Sequence, residues 1–491
     1  MRRILPPLFA VLLPTFLVAQ TSPTSQSRRL AFTHATVIDM TGAPPKSDMT
    51  VVVEGGSIVQ VGKTRSVKVP ADARIVDAAG KFLIPGLWDM HVHTLREGRP
   101  PIFFPLFIAN GVTSVRDMGC SFEEFDQLKE LRLKIADGTI IGPRVVAAPG
   151  PFLDGPHAFW PNRSIPVSNE TEARQAVASL KQHGADFVKT YNNIPREAYF
   201  AVIYEARRQG LPVAGHVPLY VSVAEASDAG QKTMEHLGSI YGGILLACSS
   251  REAEIRRAMI EAIERPNSTA PSQLAAQRAE LPALMNSYSR EKASALFKRF
   301  VRNGTWQVPT LVVLRSFAYI DDPAFTNDER IKYLPRSMMS GWNAREVPIF
   351  MERTAADVAN GKKLFDMQKQ LVDALRRADV QLMAGSDALN PFIFPGFSLQ
   401  DELALLVRAG LTPLEALQAA TINPARFFGM QDKLGTVETS KLADLVLLNG
   451  NPLDDIHNTQ RIQAVVVNGR YFSRVELDRM LAEVEAAASK K

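Results

Sequence analysis

Short apolar runs alternate with longer amphipathic segments through the central part of the chain. The short runs have the length of buried strands, and the longer segments repeat apolar residues at three- and four-residue spacing, which is typical of helices. Eight strands are predicted in this way, at 87–90, 113–116, 144–147, 185–188, 212–215, 233–235, 306–310 and 380–386. Strands that alternate with helices indicate a parallel α/β domain, and eight of them favour a closed (β/α)₈ TIM-type barrel over an open sheet.

The two ends of the chain have a different pattern. Residues 30–84 contain short apolar runs separated by glycine-containing turns, and 430–475 contains two further runs of this kind. Runs bounded by such turns predict strands. We therefore expect the two ends to form a small β-sandwich domain together, while 85–429 forms the barrel.

Two connections of the predicted barrel are much longer than the usual few residues. They span about 240–304 and 315–378, and both are charged and have helical periodicity. Insertions of this length often cover or shape a site at one end of a barrel. A solvated helical decoration is the equal alternative.

The first 20 residues have the features of a secretory signal peptide. Arg2 and Arg3 precede an apolar stretch at 4–17, and a polar segment follows residue 20. A membrane anchor is the alternative, but the stretch is short for a bilayer span and contains three prolines. The sequence predicts a periplasmic or secreted protein that does not associate with the membrane after cleavage.

The overall composition is that of an ordinary globular protein. Charged residues make up 22% of the 491, the formal net charge is +5, and no run of Lys and Arg occurs, so nucleic acid is not an expected partner. Cys120 and Cys248 are the two cysteines. They either pair in an oxidising compartment or remain two buried thiols.

Candidate metal-ligand residues stand at the ends of five predicted strands. They are His91, His93, Lys189, His216, His236 and Asp387. His91 and His93 are two apart on a strand, so their side chains point to the same face. Because the carboxyl ends of barrel strands meet at one face, the pattern predicts a metal site there. Asp387 suits the roles of metal ligand and general base.

Lys189 is an unusual member of this set because an ammonium group repels a metal ion. A charged ammonium at the end of an apolar strand is also expensive to bury. Carbamylation by CO₂ would convert the side chain into a carboxylate that can bridge two metals. A lysine in an ordinary salt bridge is the alternative.

Several motifs of the chain resemble those of the amidohydrolase superfamily, in particular its secreted, imidazolonepropionase-like and prolidase-like branch. The matching segments are Ile-Pro-Gly-Leu-Trp-Asp-Met-His-Val-His-Thr at 84–94, Gly-Val-Thr at 111–113, Phe-Val-Lys at 187–189, Ala-Gly-His at 214–216, Met-Glu-His at 234–236 and Ala-Gly-Ser-Asp at 384–387. Thr-Ile-Asn-Pro-Ala at 421–425 and Lys-Leu-Ala-Asp-Leu-Val at 441–446 add to them. The resemblance covers nearly everything after residue 30.

This resemblance implies a site with two divalent metal ions. His91 and His93 would hold one ion and share it with Asp387, His216 and His236 would hold the other, and carbamylated Lys189 would bridge both. Zinc is the expected metal, although oxygen and imidazole ligands leave manganese, iron and cobalt open. The implied reaction is hydrolysis of an amide C–N bond, as in a dipeptide or an N-acyl amino acid, by a hydroxide that bridges the metals.

Three residues are further candidates for contact with a small-molecule amide or dipeptide substrate. His157 follows the third strand, where similar proteins often place a glycine–histidine element, and a surface loop histidine is the alternative. Tyr220 could donate a hydrogen bond to a developing oxyanion, or simply pack. Tyr191 lies two residues after Lys189 and is expected to share its face.

Other functions remain open on the same scaffold. One is the opening of a cyclic amide or imidazolone ring, or a deamination, although deaminases of this superfamily usually use one metal and lack the lysine. Another is a non-catalytic protein, which would be expected to lack some of the ligand residues. Barrel enzymes of this kind commonly self-associate, so the resemblance also leaves a homo-oligomer open.

Overall fold

The computed structural model describes residues 29–95, 100–158, 160–239, 242–339, 342, 350 and 353–490. The predicted signal segment, 1–20, lies outside the described residues.

The strands divide between one mixed sheet and two parallel sheets. Their bounds are β1 Arg29–Val37, β2 Lys46–Glu54, β3 Ser57–Lys63, β4 Arg74–Asp77, β5 Phe82–Pro85, β6 Leu87–Val92, β7 Val112–Asp117, β8 Arg144–Ala147, β9 Phe152–Asp154, β10 Ser164–Pro166, β11 Val188–Thr190, β12 Val213–Gly215, β13 Thr233–Glu235, β14 Trp306–Val308, β15 Leu445–Leu448, β16 Ile462–Val467 and β17 Arg470–Ser473.

Most helices follow the strands, and the longest connections contain several each. Their bounds are α1 Pro100–Ala109, α2 Phe122–Asp126, α3 Leu128–Ala136, α4 Glu170–His183, α5 Arg196–Arg208, α6 Val223–Ala229, α7 Gly243–Ala247, α8 Glu252–Ile263, α9 Ala270–Asn286, α10 Arg290–Asn303, α11 Leu311–Tyr319, α12 Pro323–Thr326, α13 Arg336–Met339, α14 Ala355–Arg377, α15 Phe397–Arg408, α16 Pro413–Ala419, α17 Ile422–Phe427 and α18 Arg474–Ala488. Short 3₁₀ turns lie at Thr64–Ser66, Pro161–Arg163, His236–Gly238, Glu329–Tyr333 and Ile456–Gln460.

The mixed sheet contains strands from both ends of the chain. Its order is β17-β16-β15-β5-β1-β2-β3. The remaining strand, β4, lies outside this order and pairs in parallel with β1. The two ends meet where β5 pairs antiparallel with β15, with Ile84 opposite Val446. The predicted pairing of the two ends is therefore confirmed, while their packing as a two-layer sandwich stays a prediction.

Most of the parallel strands follow one another in chain order; the exceptions are β10 and β9, which stand in reverse order at the edge of their sheet beside β11. β6, β7 and β8 form one sheet, and β11, β12, β13 and β14 lie side by side in the other. The amide of Asp186 donates to the carbonyl of Ala148 at 3.0 Å, which joins the segment before β11 to the segment after β8. The strand that the sequence predicted over 185–188 is shorter and later, because only Val188–Thr190 has regular pairing.

The eighth predicted strand, 380–386, has the expected place but not a regular ladder. Leu382 forms a parallel bridge with Gln307 of β14, and Ala388 forms one with Val92 of β6. The segment is irregular because its backbone groups are divided among several partners: the amide of Ala384 donates to Ala419 at 2.8 Å, and that of Asp387 to His91 at 2.7 Å. These bridges place the eighth segment between β14 and β6, the first strand of the parallel series.

Local sequence signals set the starts of many helices. Ser222 and Glu225 form a reciprocal capping box at α6, and Thr412 and Glu415 form another at α16. The helices α7 to α10 lie within the first predicted insertion and α11 to α14 lie largely within the second. In the described part of the chain, no helix combines the length and the hydropathy that a bilayer crossing requires.

Candidate metal centre

The six predicted ligand residues lie close to one another and are buried. His91 is in β6 and His93 follows that strand, Lys189 is in β11, His216 follows β12 and His236 follows β13. Asp387 comes from the irregular eighth segment and brings its carboxylate to three of the histidines. Its Oδ1 atom is 3.4 Å from the Nε2 atoms of His91 and His93, and its Oδ2 atom is 3.6 Å from Nε2 of His236.

The remaining two residues adjoin this group. The ring centroids of His216 and His236 are 4.9 Å apart, and those of His91 and His236 are 4.6 Å apart. Lys189 is only 1% exposed, and its positive charge is close enough to lower the pKa values of His216 and His236. The structure therefore brings all six predicted ligands into one cluster.

Each histidine is oriented by a partner at its Nδ1 atom. The partner of His91 is Glu235 Oε2 at 2.9 Å, and that of His216 is Asn192 Oδ1 at 2.7 Å. His236 pairs with the hydroxyl of Thr310 at 2.6 Å, and His93 has the longer contact of 3.4 Å to the carbonyl of Gly119. Because Nδ1 is engaged in each ring, Nε2 is the atom available to a metal ion.

The hydroxyl of Thr310 has a fixed direction. It donates to the carbonyl of Pro309 at 2.7 Å, so it accepts the Nδ1 proton of His236. This assigns the tautomer of His236 with Nε2 unprotonated.

His216 and His236 have the neutral state that metal binding requires. Burial, followed by the neighbouring positive charges, lowers the pKa of both His216 and His236 well below the ordinary value of 6.5. Among the described residues, Nε2 of His216 has no hydrogen-bond partner although it is buried. A buried polar atom in that condition is costly unless a ligand satisfies it. The donor set thus fits divalent metal ions, and His91, His236 and Asp387 have ligand atoms within 4.8 Å of one another.

The backbone at the cluster adopts conformations that ordinary residues avoid. Asp387 has φ of 63°, His236 has 54° and Thr310 has 49°. Non-glycine residues in the left-handed region cost free energy and occur preferentially at functional sites. The surrounding structure holds these three residues where their side chains are needed.

Lys189 lies against an aromatic wall. Its Nζ atom is 5.8 Å from the ring centroids of both Phe152 and Tyr191. Tyr191 also stacks on His216 at 4.2 Å between centroids, and its hydroxyl accepts a hydrogen bond from Trp160 Nε1 at 3.2 Å. Of the three predicted substrate contacts, Tyr191 is therefore joined to the cluster.

The other two predicted substrate contacts have different surroundings. The side chain of His157 is exposed, and its carbonyl accepts a hydrogen bond from Asn193 Nδ2 at 2.6 Å. Tyr220 is half-buried and bonds to Glu264, which follows α8; burial is the main cause that raises the pKa of Tyr220 to about 12. The described contacts of both residues lead to loops and the first insertion. Their role at a substrate stays a prediction.

The sequence analysis did not identify the buried residues that hydrogen-bond to the predicted ligands and hold them in place. Glu235 bonds to His91 and to Arg116, and both are buried. Asp89 accepts hydrogen bonds from the amides of His91 at 3.2 Å and Ser386 at 2.8 Å, and burial raises the pKa of Asp89 to about 7. The sequence does contain a signal for these groups: Asp89 and Glu235 are charged residues in the short runs that lead to His91 and His236.

Comparison with known proteins gives a family model and several relatives. The model of the amidohydrolase family matches residues 313–471. Ochratoxinase of Aspergillus niger is 24% identical over 445 residues, which cover 78% of this chain and 73% of that protein. Imidazolonepropionase of Pseudomonas putida is 38% identical over 100 residues, 19% of this chain and 24% of that protein.

A solved structure described as a Xaa-Pro dipeptidase with methionine bound in the active site has the same fold. Its TM-score is 0.64 at 19% identity, and the match covers 91% of this chain and 100% of that one. The fold is therefore an α/β fold of the TIM-barrel type. Residues 313–471 thus match the amidohydrolase family, and the relatives support a hydrolase of that superfamily that acts on C–N bonds.

Proposed function

We propose that the chain is a secreted, binuclear metal-dependent amidohydrolase that cleaves the amide bond of dipeptides or N-acyl amino acids. The observation that carries this proposal is the convergence of four histidines, a lysine and Asp387 on one buried point. The Nδ1 partners aim every histidine at that point through Nε2.

The ligands divide naturally into two groups. His91 and His93 would hold one ion with Asp387, and His216 and His236 would hold the second. When bound, divalent ions of this kind supply Lewis acidity, which favours ionisation of water and polarises a scissile carbonyl. Zinc suits the imidazole-rich set.

Lys189 would complete the site as a carbamate. Its ammonium group is buried beside two histidines that would bind a metal, and a fixed positive charge there opposes a second ion. Carbamylation forms a bond between Nζ and the carbon of CO₂, and the ammonium group releases two protons to solvent. It replaces the cation with an anionic oxygen donor.

Asp387 would perform the proton transfers. Its carboxylate lies between His91, His93 and His236, where it can accept a proton from the attacking water and deliver it to the leaving nitrogen. Tyr191, which stacks on His216, would contact the substrate.

The substrate class is supported by the relatives as well as by the site. The chain is similar to a Xaa-Pro dipeptidase in structure and to an ochratoxinase in sequence. Imidazolonepropionase is the name of another, which supports ring hydrolysis as a second candidate reaction. We also propose that 85–429 forms a closed eight-stranded barrel and that the two chain ends form a two-layer sandwich. The position of the eighth segment, between β14 and β6, supports the closed barrel.

The experiment is release of free amino acids from a library of dipeptides and N-acyl amino acids. The protein would be reconstituted with Zn²⁺ and bicarbonate, and chelator-treated protein is the control. Metal-dependent release from a subset of the library is expected. Cleavage of cyclic amides or imidazolones instead, by a protein that carries two metals, would favour the second candidate.

Secretion is tested separately. Expression of the full chain in a bacterial host, followed by mass determination of the periplasmic and culture-medium protein, is expected to find a mature form that starts near residue 20. Intact protein confined to the cytoplasm would contradict this part of the proposal.

A further inference from the structure

The charged partner of His91 distinguishes it from the other three histidines. Glu235 offers a carboxylate to His91 Nδ1 at 2.9 Å, whereas His216 and His236 are held by an amide oxygen and a hydroxyl. A carboxylate on the far side of an imidazole raises the basicity of the ring and fixes its orientation, and therefore strengthens its bond to a metal.

Glu235 is itself held by a buried arginine. Arg116 Nη2 donates to both carboxylate oxygens of Glu235, at 2.9 and 3.0 Å. The hydroxyl of Thr233 also donates to Glu235 and accepts from Arg116 Nη1 at 3.2 Å. The two charged side chains are 1% and 0% exposed.

Arg116 connects this pair back to the ligand strand. Its Nε atom donates to the carbonyl of Met90, the residue before His91, at 2.7 Å. One guanidinium therefore fixes both the backbone beside His91 and the carboxylate that holds the ring of His91. Glu235 also directly precedes His236, so the same pair lies between ligands of both proposed metal positions.

Stability alone is a poor explanation for such a pair. Removing two charges from water costs several kcal/mol per ion in a protein interior, and well-packed apolar residues often serve as well or better. A buried ion pair whose carboxylate ends on a candidate metal ligand is better explained by what it does to that ligand.

We propose that Arg116 and Glu235 are positioning residues that strengthen metal binding at the position served by His91. The inference rests on the proposed metal centre. It adds two residues that are not in the predicted ligand set. These residues would raise metal affinity by acting on His91, whereas a purely structural ion pair would leave metal affinity unchanged.

The test compares zinc binding by the wild-type protein, Glu235→Gln and Glu205→Gln in competition with a chelator. Glu205 on α5 is a matched control, because it is a carboxylate only 4% exposed and held by Arg208, the last residue of that helix, and by Gln209, which follows it. Glu235→Gln is expected to weaken one zinc equivalent by about 10- to 100-fold, the usual effect of losing such a partner. Glu205→Gln should bind zinc as the wild type does.

The outcomes separate the two proposals. Wild-type protein that binds no zinc contradicts the metal centre itself. Wild-type protein that binds zinc, with unchanged affinities in folded Glu235→Gln, overturns only the role of the pair. If circular dichroism shows that Glu235→Gln is unfolded, the nearly isosteric Thr233→Val takes its place, because it removes one group that holds Glu235. Thr233→Val is expected to lower the affinity for zinc several-fold. Unchanged zinc affinity in this variant would overturn the proposal.

Discussion

The Oδ1 atom of Asp387 lies 3.4 Å from the Nε2 atom of His91, although the two residues stand near opposite ends of the parallel strand series. The contact forms because the segment that contains Asp387 returns to β6, where the amide of Asp387 donates to the carbonyl of His91. A backbone bond therefore sets the distance between the proposed general base and a proposed ligand.

Asp387→Asn is expected to lower kcat by about 10²- to 10⁴-fold, since an amide cannot accept the proton of the attacking water. The variant should also bind metal more weakly, because it lacks the negative charge. Steady-state kinetics on a substrate found in the library, with metal analysis beside it, measures both effects. Asp366→Asn, at an exposed pair with Lys369, is the control and should behave as the wild type does. Full activity in Asp387→Asn would remove this residue from the mechanism.

Lys189→Ala is expected to reduce bound zinc from two ions per chain to one and to lower activity strongly, because the proposed carbamate could not form in it. Metal content per chain, with and without bicarbonate during reconstitution, is the measurement. Wild-type protein should need bicarbonate for the second ion, and the variant should show no such dependence. Two ions and intact activity in the variant would contradict the binuclear site.

Glu402→Gln is expected to make the protein more resistant to unfolding at high pH. Glu402 is buried on α15, where it accepts the amide of Val312 at 2.7 Å, and burial raises its pKa from 4.5 to about 8. The folded protein therefore holds a proton that the unfolded chain releases. Stability contributed by this proton is complete below about pH 4.5 and is lost as the pH rises towards 8.

The measurement for Glu402→Gln is the melting temperature at pH 5 and pH 8. The gain of the variant over the wild type should be larger at pH 8, because the glutamine carries no charge to bury. Glu123→Gln, on the exposed first turn of α2, is the control and should have the same small effect at both pH values. An equal gain for Glu402→Gln at both values would mean that Glu402 does not titrate in this range.

Gly215→Ala is expected to destabilise the protein by about 1–3 kcal/mol and to reduce bound metal. Gly215 has φ of 116°, and an added Cβ would collide with the carbonyl of Thr190 and approach Lys189 Cγ to 3.0 Å. Thermal unfolding and metal analysis test the prediction. In Gly361→Ala, where the added Cβ meets open space within α14, stability should instead rise by about 0.5–1 kcal/mol.

The elements that could be predicted are those with strong local periodicity. The sequence placed His91-x-His93 on one strand face, and β6 has that arrangement because alternate strand residues share a face. The strand before Asp387 was predicted as regular and is not, since its hydrogen bonds go to β14, β6 and the last residue of α16. A single-sequence pattern cannot reveal such divided pairing.

The hydrogen-bond partners of the ligands could not be predicted from local periodicity. Arg116 and Glu235 come from β7 and β13, which are far apart in the chain, and their pairing depends on how those strands are positioned around the centre. Likewise, the contact of Tyr220 with Glu264 depends on where the first insertion lies. Neither contact produces a recognisable spacing of residues in the sequence.

The sequence by itself determined which residues could bind metal, because strand length, strand alternation and side-chain chemistry are local properties. It also determined that strands from both ends would be apolar enough to share one sheet. Only the tertiary structure decided which nitrogen of each histidine faces the centre and which side chain holds it there. Those features depend on distances between strands that meet only when the chain is folded, and hydrogen bonds form only at such distances.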